Sequence, residues 1–260
     1  MKVLFIGDII GEPGRRVIAR TLHKVVAEHA VDLVIGNGEN AAAGFGITPE
    51  LAHELFEMGL AVITTGNHAW DKKEILDFIR HEPRLLRPAN YPGGAPGNGS
   101  VVVETSGGEK LGILQVMGRI YMPAMLECPF QAARREVAKL KQETRAIIVD
   151  MHAEATSEKM AMGHFLDGEV TAVVGTHTHV PTADEQILPK GTAYQTDIGM
   201  TGPVISVIGI KKELAIEKFL TQMPRRFEVA PGPAILNAVL IELDGTLGKA
   251  VGIRRIRIPE

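Results

Sequence analysis

The chain has 260 residues, 45% hydrophobic and 23% charged, a balance that excludes a disordered or fibrous protein. Its 28 Lys and Arg against 31 Asp and Glu leave a formal charge of −3, which argues against a basic surface for long nucleic acid. A lone cysteine, Cys128, excludes a disulfide framework and a Cys-rich zinc module.

No run approaches the ~18 apolar residues of a membrane span. The chain opens directly on a strand-like Lys2-Val3-Leu4-Phe5-Ile6 with no signal-peptide pattern, so the expected compartment is the cytoplasm. Residues 2–6 read as a buried strand. A glycine-punctuated loop leads to a helix over about Gly14–Glu28, with Val17, Ile18, Leu22, Val25 and Val26 at helical spacing. Asp32–Ile35 is a second strand. A helix over Thr48–Met58 follows, with Thr48 as N-cap and Pro49 at the first helical position. Ala61–Thr65 is a third strand and Lys72–Arg80 a third helix. This alternation signals βαβ units and a largely parallel sheet.

The Pro- and Gly-rich stretch 91–99 is a loop. After it, Ser100–Glu104 and Lys110–Met117 form a hairpin around Ser-Gly-Gly. A charged helix spans about Phe130–Glu143, and Ala146–Asp150 and Thr171–Gly175 are strands. The tail offers a hairpin around Pro189-Lys190-Gly191, a short helix near Lys212–Leu220 and two strands turning at Asp244-Gly245. No linker or repeat divides the chain. One domain over 1–260 is expected, with a mixed central sheet or two face-packed sheets flanked by helices.

Glycine is frequent, 28 of 260 residues against about 7% usually, and there are nine histidines. Polar residues gather where strands end: Gly7-Asp8, Gly38-Glu39-Asn40, Gly66-Asn67-His68, Asp150-Met151-His152 and Gly175-Thr176-His177-Thr178-His179. In an open α/β sheet the carboxyl ends of parallel strands share the edge where ligands bind. If these strands are parallel neighbours, Asp8, Glu39, Asn40, Asn67, His152, His177 and His179 converge. Carboxylate, amide oxygen and imidazole together make a ligand set for divalent metals. Taken singly, an Asp or Asn after a strand is more often a turn or cap residue, and His177 with His179 can be a half-buried pair. Five consecutive strand ends of this kind are hard to assign to chance. His23, His29, His53 and His81 fall on helices among charged neighbours, and His164 has no partner in view.

Competing motifs fail on spacing. Gly7-x3-Gly11-x2-Gly14 is not a dinucleotide loop, there is no G-x4-G-K-[ST], and Ser157 lies outside any G-x-S-x-G elbow. Cys128, Trp70 and Met117 read as packing residues, with a covering role open to Trp70.

The blocks resemble the metallophosphoesterase family, whose signature runs D-x-H, G-D, G-N-H-[DE], a lone His and G-H-x-H at strand ends. Asp8 matches the first aspartate, Gly66-Asn67-His68 the third block and His152 the fourth. His177-Thr178-His179 matches the fifth, with Gly175 shifted one place back. Ile10 stands where the first block has His, and Glu39 followed by Asn40 where the second has its bridging Asp. Both departures are features of the YmdB-like branch. The chain is similar to that branch through GDIIGEPGR, NGENAAAGFG, TTGNHAWDKKEI, RPANYP, DMHAEATSEK, VVGTHTHVPTAD and LPKGTAYQTDIGMTGP, over residues 7 to about 203.

The resemblance implies a four-layer α/β/β/α sandwich of two mixed sheets flanked by helices, with two divalent transition metals, iron or manganese, at the strand ends. It assigns Asp8, Asn40 and His179 to one metal and Asn67, His152 and His177 to the other. Glu39 bridges them, and His68 is the general acid. It implies a phosphodiesterase acting on cyclic nucleotides, the 2′,3′-cyclic ones in particular, through a metal-activated hydroxide. Glu154, Asp71 and Asp197 are candidates to orient the histidines. A small nucleotide substrate is expected, with no membrane or stable nucleic-acid partner and homo-oligomerisation left open. A phosphomonoesterase or nuclease on the same site, and a nucleotide-binding regulator with a vestigial site, are the alternatives. Retention of His68 argues against the regulator, because a pure binder needs no general acid.

Overall fold

The computed structural model describes residues 1–260. In chain order the elements are β1 (Lys2–Ile6), β2 (Asp8–Ile9), α1 (Gly11–His29), β3 (Leu33–Asn37), α2 (Pro49–Glu57), β4 (Val62–Thr64), α3 (Ile75–His81), β5 (Ser100–Glu104), β6 (Lys110–Met117), α4 (Pro129–Leu140), β7 (Ile147–His152), α5 (Thr156–Phe165), β8 (Ala172–Thr176), β9 (Gln186–Ile187), β10 (Ala193–Gln195), β11 (Met200–Pro203), α6 (Lys212–Thr221), β12 (Ala234–Asp244) and β13 (Lys249–Pro259). Thr48 caps α2 by accepting from Leu51 N at 3.4 Å, and Pro49 takes the first helical position, as its fixed φ favours.

The strands form two mixed sheets. One has seven strands in the order β2-β11-β12-β1-β3-β4, with β13 paired to β12; the other has six, β5-β6-β7-β8-β10-β9. The parallel sets are β1-β3-β4 and the short pair β2-β11 in the first and β6-β7-β8-β10 in the second. The hairpins expected at Ser-Gly-Gly, at Pro189-Lys190-Gly191 and at Asp244-Gly245 join antiparallel pairs.

Strand side chains alternate between faces, and here each face has its own core. Leu4, Ile6, Val34 and Ile63 point outward under Val17, Ile18 and Leu22 of α1, Leu55 of α2 and Ile79 of α3. Val3, Phe5, Leu33, Ile35 and Val62 point inward and meet Leu111, Ile113, Ile148, Ala172 and Val174 of the second sheet. That sheet's outer residues Val116, Ile147, Val149 and Val173 pack under Ala132, Val137 and Leu140 of α4 and Met162 of α5. Helix, sheet, sheet, helix are the four layers expected.

The seam between the sheets changes character along the strands. Each inward row begins apolar and turns polar at its carboxyl end. The rows are Leu33-Ile35-Asn37, Leu111-Ile113-Gln115, Ile148-Asp150-His152 and Ala172-Val174-Thr176. The polar ends bond one another: across the seam the Thr64 hydroxyl donates to Asp150 at 2.6 Å and Thr65 N to Gln115 Oε1 at 3.0 Å, and within the second sheet the Thr176 hydroxyl donates to Asp150 at 2.7 Å. The fold thereby places a buried polar network directly beneath the strand ends.

Ile35 is fully buried in the apolar part of this seam. Ile35→Ala removes buried carbons and leaves a cavity between two sheets that cannot collapse onto it. It should cost about 2–5 kcal/mol, read as a lower urea midpoint with an unchanged slope.

Candidate active site

Asp8, Glu39, Asn40, Asn67, His152, His177 and His179 are brought to one place, at the carboxyl ends of β1, β3, β4, β7 and β8. His177 and His179 rise from a turn in which both have positive φ, 97° and 66°. Asp8 is fully buried, accepts from His177 N at 3.2 Å, and faces His179 Nε2 at 3.8 Å. Glu39 Oε1 lies 3.2 Å from His152 Nε2, while Glu39 Oε2 accepts from His68 N at 3.1 Å. Asn67 Oδ1 is 2.9 Å from His152 Nε2, and the rings of His152 and His177 meet edge to face at 4.8 Å. Glu39, His152 and His177 each offer a ligand atom within 4.8 Å of the others.

Gly66 makes this approach possible. A Cβ there would lie 2.2 Å from His152 Nε2 and 2.4 Å from Glu39 Oε2. A side chain at 66 would therefore displace the groups the site is built from.

Donor counting fixes the two best-anchored imidazoles. His179 Nδ1 donates to the Ile208 carbonyl at 2.9 Å, since a carbonyl only accepts. The Thr176 hydroxyl gives its one proton to Asp150, so it accepts from His152 Nδ1 at 2.8 Å. Both histidines thus keep Nε2 for a ligand, held by a second partner as metal-ligating histidines are. Asp150, Thr64, Thr176 and Asn37 support this cluster; the sequence shows Asp150 and Thr176 among its polar strand ends without giving them a role, and Thr64 and Asn37 do not stand out in it. The signal was available: Asp150 shares the strand parity of His152.

The three residues expected to orient histidines fall into two groups. Asp71 Oδ2 bonds His68 Nδ1 at 2.8 Å, and Glu154 Oε2 lies 3.2 Å from His177 Nε2. Asp197 reaches no imidazole and bonds Thr178 between the two histidines. His68 stands at the rim, edge-on to Phe45 at 5.1 Å. The remaining histidines lie elsewhere, His29 beside Arg254 and His53 against Phe78. Trp70 packs on Tyr91 and Cys128 precedes α4, consistent with packing roles.

The electrostatics of the cluster call for positive charge. Burial raises the Asp8 carboxyl to about 6. Burial opposes charge on Glu39 as well, but His152 beside it and the His68 N–H outweigh that and hold it at about 2. Burial would likewise lower His152, yet Glu39, Asp8 and Asp150 raise it to about 9. Burial lowers His177 to about 3, leaving a neutral imidazole at neutral pH. Two buried oxygens, Glu39 Oε1 and Asn40 Oδ1, have no hydrogen-bond donor. Asn40 spends its amide N–H on Gly44 O at 3.0 Å, which leaves its oxygen committed to nothing in the protein. Two carboxylates, buried oxygens without donors and the neutral imidazole of His177 fit divalent cations, whose charge would replace that of protonated His152.

Glu39, Asn40, His68, His177 and His179 line a cavity of about 290 Å³, shared with the apolar side chains Ile10, Phe45, Ile208, Ile210 and Phe227, while Asp8 and His152 lie buried beneath it. Two β-sheets packed face to face between helix layers, with carboxylate, amide and imidazole groups at their common strand ends, define a metallophosphoesterase. Within that class the chain belongs to the YmdB-like protein family, whose model matches residues 4–256. The chain is 48% identical over 258 residues to the 2′,3′-cyclic-nucleotide 2′-phosphodiesterase of Bacillus subtilis, covering 99% of this chain and 97% of that one. It is 38% identical to the crystal structure of a novel phosphatase from Mycoplasma pneumoniae, with a TM-score of 0.93 and coverage of 100% and 93%. The calcineurin-like phosphoesterase YfkN of Bacillus subtilis shares the fold, at a TM-score of 0.59, 11% identity and coverage of 100% and 90%.

A divalent cation at this cluster must displace the proton of His152 and, at lower pH, that of Asp8. Affinity for Mn(II), followed by isothermal titration, should therefore rise about tenfold per pH unit for each proton displaced. One proton is displaced between pH 6 and 9, and the slope steepens below 6. A flat profile over pH 6–9 would remove His152 from the ligand set.

Proposed function

We propose that the protein is a dinuclear metal-dependent phosphodiesterase of small phosphodiesters, with cyclic nucleotides, the 2′,3′-cyclic ones foremost, as its substrate class. The observation that carries this reading is the pair of donorless buried oxygens, Glu39 Oε1 and Asn40 Oδ1, in a cavity ringed by imidazoles. In it, Asp8, Asn40 and His179 hold one cation, Asn67, His152 and His177 the second, and Glu39 is shared by both. Nitrogen and oxygen donors without thiolate suit iron or manganese. Such ions, when bound, supply Lewis acidity toward phosphoryl oxygen and lower the pKa of coordinated water toward ~7.

The chain's own groups complete the chemistry. Asp71 holds His68 through Nδ1, so Nε2 is the nitrogen that protonates the departing alkoxide. Phe45 packs against the same ring in a T-shaped contact at 5.1 Å. Ile10, Ile208, Ile210 and Phe227 exclude water and give a planar base an apolar wall beside the phosphate-binding groups. A cavity of about 290 Å³ and a formal charge of −3 favour a mononucleotide over a polymer. One domain over residues 1–260 accounts for the whole arrangement, a reading the family match over 4–256 supports.

The test is a panel on Mn(II)- or Fe(II)-loaded protein: 2′,3′- and 3′,5′-cyclic nucleotides, bis-p-nitrophenyl phosphate and a nucleoside monophosphate. The 2′,3′-cyclic nucleotides should give the highest kcat/KM, and chelation should abolish turnover. A monophosphate hydrolysed faster than every diester would replace the reading with a phosphomonoesterase.

His68→Ala should keep its metal content and lose about 10²–10⁴-fold in kcat on cyclic nucleotides, whose alkoxide leaving group needs a proton. The loss on bis-p-nitrophenyl phosphate should be much smaller, because nitrophenolate leaves unprotonated. Equal losses on both would assign His68 an electrostatic role instead.

A further inference from the structure

α5 contributes a lysine to the interior. Lys159 is 1% exposed, and its Nζ lies 2.6 Å from Oδ2 of Asp197, itself fully buried. The same Oδ2 accepts from Thr178 N at 3.2 Å and from Thr178 Oγ1 at 2.7 Å, while Oδ1 accepts from Gly199 N at 2.8 Å. Thr178 separates His177 and His179, each in the left-handed region that residues with a Cβ disfavour. The other arm of the carboxylate reaches the segment beside Asp8, because Gly199 O accepts from Asp8 N at 3.1 Å.

One carboxylate thus ties together the backbone that presents His177, His179 and Asp8. A buried carboxylate accepting three donors still needs a countercharge, and Lys159 supplies it. Gly175 leaves the room: a Cβ there would meet Lys159 Cδ at 2.9 Å and the Thr196 carbonyl oxygen at 1.7 Å. An apolar pair could fill the same volume, but it would accept nothing from Thr178 and leave the strained turn unheld.

We propose that Lys159 and Asp197 are positioning residues, an internal ion pair that locks the His177-Thr178-His179 turn and thereby sets the angle at which both imidazoles meet the cations. This rests on the two-metal reading given above. The pair touches neither substrate nor cation, so its effect passes entirely through the turn.

Co(II) is the probe, since its visible spectrum reports ligand geometry independently of turnover. Wild type, Lys159→Met and Thr178→Val are titrated with Co(II) well below their melting temperatures, with circular dichroism as the check on folding. Lys159→Met should bind Co(II) about 10–100-fold more weakly, with a shifted visible band and an unchanged circular dichroism spectrum. Thr178→Val, which removes only the hydroxyl bond to Asp197, should shift the band in the same direction with a smaller loss of affinity. It decides the matter should Lys159→Met fail to fold. Wild-type affinity and band in the folded variants, even with lowered melting temperatures, would make the pair a stabilising contact only and overturn the proposal. If the wild type binds no Co(II), the two-metal reading itself fails and the proposal with it, an outcome distinct from a wild type that binds and variants that match it.

Discussion

Carboxylates taken out of water must be compensated, and this requirement organises the strand-end half of the molecule. Asp8, Glu39, Asp150 and Asp197 are each at most 1% exposed. Asp197 has an ammonium and three donors. Asp150 has the hydroxyls of Thr64 and Thr176, and its carboxyl is raised by burial. Asp8 and Glu39 are left with backbone N–H groups and imidazoles that are already engaged on their far nitrogens. The deficit of positive charge is therefore local, and it coincides with Glu39 Oε1 and Asn40 Oδ1, two of the four buried oxygens that no donor meets. The candidate site sits where compensation by the protein stops.

The two-sheet architecture makes such a site affordable. Register fixes it within the second sheet: Ile148 pairs with Ala172, Asp150 with Val174 and His152 with Thr176, so β7 and β8 turn polar together toward their carboxyl ends. A slip of one residue in β7 would turn Asp150 and His152 outward under α4 and α5 and bring Val149 and Met151 into the seam. The apolar half of the same seam prevents that slip. Stability and site geometry are thus two ends of one packing surface, the first supplied by Phe5, Ile35 and Ile113, the second by the residues that follow them.

Much of this was legible before any coordinates. The Thr48-Pro49 pair marked a helix start, turn residues marked the hairpins, and the glycine-flanked polar strand ends marked the site, because each rests on local chemistry. α1 begins at Gly11 rather than near Gly14, since Gly11, Pro13 and Gly14 read as a loop but pack as a first turn. β2 and β11 have two and four residues, too short to carry a period. α5 was not foreseen at all. Its inward residues are Glu158, Lys159, Met162 and Gly163, so the stripe that identifies a helix is here partly charged. The reason is tertiary: Glu158 accepts from Arg119 N and Ile120 N, and Lys159 answers Asp197. A helix whose buried face serves polar partners hides from a periodicity argument.

The departure at position 10 can be followed to its consequences. Where the wider superfamily signature has histidine, Ile10 is 1% exposed and lines the cavity. Gly202 and Gly209 lie against it so closely that a Cβ on either would come within 2.9 and 2.8 Å of its side chain. The position is packed as a hydrophobic one, in a socket that gives an imidazole no room to swing. On the reading above, the first cation therefore loses a nitrogen ligand, and an oxygen must come from elsewhere. Asn40 lies beside Glu39 on the same loop, its carbonyl oxygen freed by the bond from its amide N–H to Gly44. Replacing imidazole by a carboxamide oxygen makes the ligand set harder. Ile10, Glu39 and Asn40 thus meet in one cavity, and on that reading the first gives it an apolar wall while the other two give it oxygen donors.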